Sequence, residues 1–222
     1  MIRAVLFDLD GTLVNTLTDL NDAVNVILKK YSHPTVSEKD FVKMVGKGNE
    51  YMIRSALPED KRSDCDYVIK LRGEFYDYYK NHCADKSCAY DGIEKLLDDL
   101  KKEDVMVAIV TNKAQDMTDS LVPKLFKENT FASVIGQRDG VPTKPELNMP
   151  FLAMSDMDVN PDECLFVGDS GVDMQTGTNC GNIPVGVLWG YRDKNELINN
   201  GARFLVENPA EILEIVRKIN QC

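Results

Sequence analysis

The chain has 222 residues, 43% of them hydrophobic and 8% aromatic, enough to bury the core of one domain or of one domain with an insertion. Its formal net charge of −10 excludes a surface built for nucleic acid, because phosphate-backbone binding relies on clustered Lys and Arg. Any phosphorylated ligand must be attracted locally, with the help of a cation.

In chain order, the first element is the apolar run AVLF (4–7), which breaks into DLDGT (8–12). From about Thr16 to Asn81 only helix signals occur. Leu17, Leu20, Val24, Ile27, Leu28 and Tyr31 share one helical face, as do Val68, Leu71, Phe75, Tyr78 and Tyr79. Pro34 and the Gly46/Gly48 pair punctuate this stretch. It is expected to be an all-helical insertion, with its aromatic stripe packed as core. Asp91 and Glu94 then have the spacing of a helix-capping pair ahead of GIEKLLDDLKK (92–102).

The next run, VMVAIV (105–110), ends in TNK, and a helix is expected after Lys113. SVIG (133–136) adds a strand, FLAMSDM (151–157) a helix, and CLFV (164–167) a strand that ends in GDS. PVGVLW (184–189) and RFLV (203–206) are further strands, and AEILEIVRKI (210–219) is a closing helix. Runs apolar on both faces fit strands covered on both sides, and their alternation with helices predicts a doubly wound, mainly parallel, Rossmann-like α/β core.

In open α/β sheets, ligands sit beyond the carboxyl ends of the strands, where all three polar tails fall. Side chains two apart on a strand point the same way, so Asp8 and Asp10 are expected to face one pocket, with Asp169 arriving from another strand. Clustered carboxylates repel unless neutralised, and a hard divalent cation with oxygen ligands does this. Thr111 and Asn112 can donate to a phosphate oxygen, and Lys144, in TKPELNMP, can offset charge on a nucleophile and a phosphoryl group. An ionised aspartate can attack phosphorus, with Asp10 moving the proton. DxDG does not continue as a calcium loop, since Gly11 comes too early and Thr12 stands where a third ligand belongs. Neither GxxxxGK[ST] nor GxGxxG occurs.

These motifs, DLDGT at 8–12, TNK at 111–113, Lys144-Pro145 and GDSGVD at 168–173, resemble in order and spacing the haloacid dehalogenase superfamily of phosphatases. The likeness is greatest to its phosphoglycolate phosphatase-like branch and spans nearly the whole chain. It implies a catalytic core of residues 1–15 and 82–222 and a helical cap of residues 16–81. It further implies Asp8 as nucleophile and metal ligand, and Asp10 as acid/base that binds metal through its backbone carbonyl. Thr111 and Asn112 would hold the phosphoryl group, Lys144 would pair with Asp8 and phosphate, and Asp169 would bind Mg2+. Asp173 is expected to order the site without touching metal, or else to be a first-turn helix acid. Lys47, in VGKGNE, reads either as part of a substrate-specificity loop facing the core or as a plain turn. The chain departs from the branch at Asn15, where relatives often have Asp, at Asp91-Gly92 and at Leu147.

The implied activity is magnesium-dependent hydrolysis of a small phosphorylated metabolite through an aspartyl-phosphate, phosphoglycolate being the substrate the resemblance favours. Pyrophosphate or a sugar phosphate would use the same core motifs. A β-phosphoglucomutase-like phosphomutase also shares the nucleophile and the cap, but usually has a Ser-rich motif where TNK stands. A phospho-Asp receiver module would need neither the cap nor Asp10. No membrane or nucleic-acid partner is expected, and a monomer or homodimer is. The six cysteines, Cys65, Cys83, Cys88, Cys164, Cys180 and Cys222, lack compact ligand spacing and are read as packing or surface residues. With no cleavage-site pattern and no membrane-length apolar run, the cytoplasm, with reduced thiols, is the expected compartment.

Overall fold

The computed structural model of the protein describes residues 1–221. Strand β1 (Ala4–Phe7) leads through the two-residue strand β2 (Val14–Asn15) into helices α1 (Leu17–Lys30), α2 (Glu38–Phe41), α3 (Asn49–Ala56) and α4 (Cys65–His82). The chain returns through β3 (Cys88–Ala89) to α5 (Ile93–Lys102), β4 (Met106–Ala114), α6 (Gln115–Leu125), β5 (Ser133–Gln137) and α7 (Asn148–Asp156). The remainder is β6 (Cys164–Gly168), α8 (Gly171–Cys180), β7 (Ile183–Val187), α9 (Lys194–Asn199), β8 (Phe204–Val206) and α10 (Ala210–Asn220).

Six strands form one parallel sheet in the order β5-β4-β1-β6-β7-β8. β1 lies at its centre, in register with β4 (Phe7 beside Ile109) and with β6 (Phe7 beside Val167). Alternate residues feed opposite faces. Val5 and Phe7 join Leu97 and Leu100 of α5 and Leu213 and Val216 of α10, while Ala4 and Leu6 join Met149, Ala153 and Met154 of α7. Each such aliphatic side chain contributes about 2 kcal/mol by leaving water. Every strand expected from the sequence is present.

The segment from α1 to α4 contains only helices and short turns. Leu20, Val24, Ile27 and Leu28 of α1 are buried with Val68, Leu71, Phe75 and Tyr79 of α4. Tyr31 and Tyr78 are only half-buried, and Tyr78 stacks on His82.

Three details differ from expectation. The chain leaves and re-enters the core through a small antiparallel pair, β2 with β3, which places Asn15 beside Cys88. Asp91 and Glu94 do not cap α5, because Gly92 takes the cap position at φ +87° and no side chain caps the helix. β4 does not stop at Val110 but runs through Thr111-Asn112-Lys113, with a register break against β5 between Val110 and Ala114. Among the described residues no helix is long and apolar enough to cross a membrane, and five cysteines are free thiols. Cys222 lies outside the described residues.

Candidate active site

Beyond Phe7 the chain leaves the sheet after one last bond, from the Asp8 N–H to the Val167 carbonyl. The Leu9 carbonyl then accepts from the N–H groups of Leu13 and Val14, folding residues 9–14 into a tight loop. Gly11 makes the loop feasible, at φ +89° and with Asp169 packed where a side chain would sit. A Cβ there would fall 2.5 Å from Asp169 Oδ2.

Asp8, Asp169 and Asp173 converge, all buried, with one oxygen from each lying within 4.8 Å of the others. Asp173 belongs to α8, whose first turn it closes in a capping box with Ser170. Its other oxygen accepts from Lys144 Nζ at 2.7 Å. Lys144 Nζ also lies 2.9 Å from Asp8 Oδ1, so that one ammonium bridges the two carboxylates. Asp169 accepts from the Tyr191 N–H at 2.7 Å and from Thr12 Oγ1 at 3.4 Å.

Burial pushes the Asp8 carboxyl up to about 6, with the Lys144 ammonium opposing the rise. Burial, then the charges of Asp173 and Asp8, push Asp169 up to about 8. Burial works against the Lys144 charge, but Asp173 and Asp8 more than offset it and hold its pKa above the ordinary lysine value.

Asp10 lies outside this cluster. Its carboxylate oxygens are 3.0 and 3.2 Å from Lys113 Nζ, and Thr16 Oγ1 donates to one of them at 2.6 Å. The strand ends at Phe7, so the period-two argument does not reach these residues. Asp8 and Asp10 line one pocket but turn to different partners. Lys113 is buried, and its ammonium lies 4.8 Å from the centre of the Tyr79 ring on α4.

Thr111 and Asn112 are both buried in the pocket wall. The Asn112 amide donates to the carbonyls of Lys144 and Gly46, at 3.2 Å each, and its oxygen accepts from the Lys144 N–H at 2.8 Å. That side chain clamps the Lys144 loop beside the pocket. The Thr111 hydroxyl accepts from the Lys113 N–H at 3.2 Å and keeps its own proton to give. Lys47 does not line this pocket. It is exposed, its ammonium 5.1 Å from the centre of the Tyr51 ring, on the edge of a larger cleft alongside.

Sequence reasoning leaves Lys113, Thr16 and Tyr191 without roles. TNK contains Lys113, but a motif shows where a residue sits and not which carboxylate it will meet. Tyr191, whose hydroxyl accepts from the Thr16 N–H at 3.0 Å, comes from 175 residues away and carries no local signal.

Residues 5–187 match the family model of the haloacid dehalogenase-like hydrolases. The chain is 29% identical over 216 residues to the N-acetylmuramic acid 6-phosphate phosphatase of Pseudomonas aeruginosa, covering 97% of this chain and 95% of that protein. It is 28% identical over 219 residues to the phosphoglycolate phosphatase of Chromobacterium violaceum, covering 97% of each. The crystal structure of a predicted phosphoglycolate phosphatase from Haemophilus somnus superposes with a TM-score of 0.87 at 26% identity, covering 97% of this chain and 98% of that one. The chain therefore belongs to the haloacid dehalogenase-like hydrolases, within the branch of phosphatases that resemble phosphoglycolate phosphatase.

Proposed function

We propose that the protein hydrolyses a small phosphorylated metabolite with the help of Mg2+, Asp8 being the group that attacks phosphorus. The observation that carries this reading is the Asp8 carboxylate itself. It is buried in the wall of a pocket that also contains Thr111, and one of its oxygens is held 2.9 Å from the Lys144 ammonium.

The residues fit a divalent cation. Four carboxylates, Asp8, Asp10, Asp169 and Asp173, meet two ammonium groups, Lys113 and Lys144, a deficit of two positive charges. Asp8 and Asp169 would hold the ion through their carboxylates and Asp10 through its backbone carbonyl, while Asp173 is already committed to Lys144 and Ser170. When bound, Mg2+ would neutralise charge on the transferring phosphoryl group.

The residues of the chain supply the remaining chemistry. Lys144 offsets the negative charge of Asp8 and of the phosphoryl oxygens facing it, and the Thr111 hydroxyl donates to one of those oxygens. Asp8 forms a bond to phosphorus as the ester oxygen departs, and Asp10 gives that oxygen its proton. In the second half, Asp10 takes a proton from water as the water oxygen displaces Asp8 from phosphorus. Asn112 holds the Lys144 loop in place throughout.

Likeness alone gives two candidate substrates, phosphoglycolate and N-acetylmuramic acid 6-phosphate, both small-molecule phosphates of the kind found in the cytoplasm. A monomer or homodimer suffices, since every group named above belongs to one chain. The test is phosphate release from a panel of phosphorylated metabolites with Mg2+ present, using the wild type and Asp8→Asn. The amide is nearly isosteric, so the variant should remain folded and release no phosphate. Wild-type turnover in Asp8→Asn would show that another group attacks.

A further inference from the structure

Residues 188–193 join β7 to α9 and supply no reacting group, yet they bond to several parts of the site. Trp189 Nε1 donates at 3.0 Å to the Thr12 carbonyl, in the loop that follows Asp8. The Tyr191 N–H donates to Asp169 Oδ2 at 2.7 Å, a shorter bond than the one Asp169 accepts from Thr12 at 3.4 Å. Gly190 permits this approach, since a Cβ there would fall 2.2 Å from Asp169 Cβ and 2.5 Å from the Gly11 carbonyl oxygen. The Tyr191 hydroxyl accepts from the Thr16 N–H at the entrance to the helical segment.

Arg192 then reaches out of the core. Its guanidinium donates from Nη1 to the Val42 carbonyl at 2.8 Å and from Nη2 to the Val45 carbonyl at 2.6 Å. These carbonyls belong to the 3-10 turn Val42–Met44, which prolongs α2, and to the residue after it. Carbonyls at a helix end lack partners within the helix and carry its negative pole, which suits a cation that bonds both. The fixed fork of an arginine holds two acceptors in one geometry, whereas a lysine is a point charge. Val45 and Gly46 wall the pocket together with Asp8 and Asp10. Arg192 thus grips the part of the pocket wall that the helical segment supplies, while the residue before it orients Asp169. A shift of residues 42–46 would pull on Arg192 and turn the neighbouring peptide group, whose N–H is bonded to Asp169.

We infer that Arg192 is a positioning residue for Asp169, through which Mg2+ binding and the seating of residues 42–46 over the pocket favour each other. This rests on the metal-dependent phosphatase reading above and adds to it a residue that touches neither metal nor substrate. Such coupling is reciprocal, so each event strengthens the other by the same factor. Hydrogen-bond partners of a metal-ligating group are worth about 10–100-fold in metal affinity. The Arg192 charge by itself acts in the opposite direction. A guanidinium near the site repels a cation, so its removal without coupling would tighten Mg2+ binding.

Calorimetric titration of the full chain with Mg2+ alone tests this. Arg192→Met should bind Mg2+ about tenfold more weakly than the wild type. Arg192→Lys keeps the charge and loses the fork, so it should bind about threefold or more weakly, and it carries the test if the methionine variant does not fold. Hydrogen exchange at residues 42–46 should slow when Mg2+ is added to the wild type and stay unchanged in Arg192→Met. With p-nitrophenyl phosphate, the rate lost in Arg192→Met should return at about tenfold higher Mg2+, a rescue that mere damage to the fold does not give. A Kd that is tighter, or weaker by less than about threefold, in the folded variants would overturn the coupling and leave the phosphatase reading intact. So would exchange at residues 42–46 that ignores Mg2+ in the wild type. Neither Mg2+ binding nor phosphate release in the wild type would overturn both.

Discussion

Lys113 Nζ sits 3.0 and 3.2 Å from the two carboxylate oxygens of Asp10, and the Tyr79 ring of α4 lies 4.8 Å from the same ammonium. One cation thus joins a core carboxylate to the helical segment that covers it. Burial alone would expel the charge, and Asp10, followed by Tyr79, holds the Lys113 pKa above its ordinary value. The ion pair also fixes the direction in which Asp10 points, because Thr16 holds only one of its oxygens.

Lys113→Met keeps the length of the side chain and removes the charge. Misplacing a reacting group by about 1 Å costs up to a hundredfold, so kcat should fall by roughly ten- to a hundredfold with KM little changed. Rates measured alongside a thermal melt separate this from unfolding. A folded variant with kcat within twofold of wild type would mean that Lys113 does not position Asp10.

The main sheet is legible in the sequence because its central strands are apolar on both faces, as Val5, Leu6 and Phe7 show. β2 and β3 are not, since two residues each carry no period, and the antiparallel pairing of Asn15 with Cys88 joins positions far apart in the chain. Asp8 and Asp169 can be picked out because each follows directly on a strand, Thr111 because the apolar run before it ends at Val110, and Lys144 by its place in the order of motifs. The partner of each is harder to read. Asn112 is an amide able to bind phosphate or backbone, and its bonds to the Lys144 loop come from a segment far along the chain. Lys47 reads in the sequence either as part of a specificity loop or as a plain turn, and its side chain lines the neighbouring cleft.

The charge deficit around Asp8 and Asp169 predicts how the protein responds to metal. Chelation should abolish phosphate release and added Mg2+ should restore it. Binding should also be visible without turnover, since a ligand at a hundred times its Kd stabilises by about 2.7 kcal/mol, which raises Tm by roughly 5–11 °C for a chain of this size. Full activity in excess chelator together with an unchanged melt would remove the metal from the site.

Asp19 gives a prediction about stability. It is buried in the first turn of α1, where its oxygens accept from the Lys86 N–H, the Ser87 N–H and the Ser87 hydroxyl at 2.7–3.0 Å. These bonds tie the start of the helical segment to its end, next to the β2–β3 connection. Asp19→Ala strands those donors and should cost about 3 kcal/mol, lowering Tm by roughly 6–12 °C. Asp19→Asn should recover only part of this, because its NH2 group would face other donors. Calorimetry of both variants decides it, and a drop under 2 °C in Asp19→Ala would show that the clamp adds nothing.

Asp10 carries the sharpest prediction, because its proposed role depends on the leaving group. An alkoxide departing from phosphorus is a poor leaving group, and a positioned acid typically contributes 10²–10⁴-fold. Asp8 cannot supply that proton while bonded to phosphorus, and Lys144 is held by Asp8 and Asp173, which leaves Asp10 as the carboxyl group in the pocket wall for the task. Asp10→Asn should therefore slow the first step severely for a sugar phosphate and far less for p-nitrophenyl phosphate, whose phenolate leaves without help. In both cases the attacking water would lack its base, so phosphorylated Asp8 should accumulate. Rapid-quench measurement of the first turnover resolves the two steps. Equal slowing of the first step for both esters, with no phosphoenzyme trapped, would reduce Asp10 to an anchor for Lys113 and Thr16.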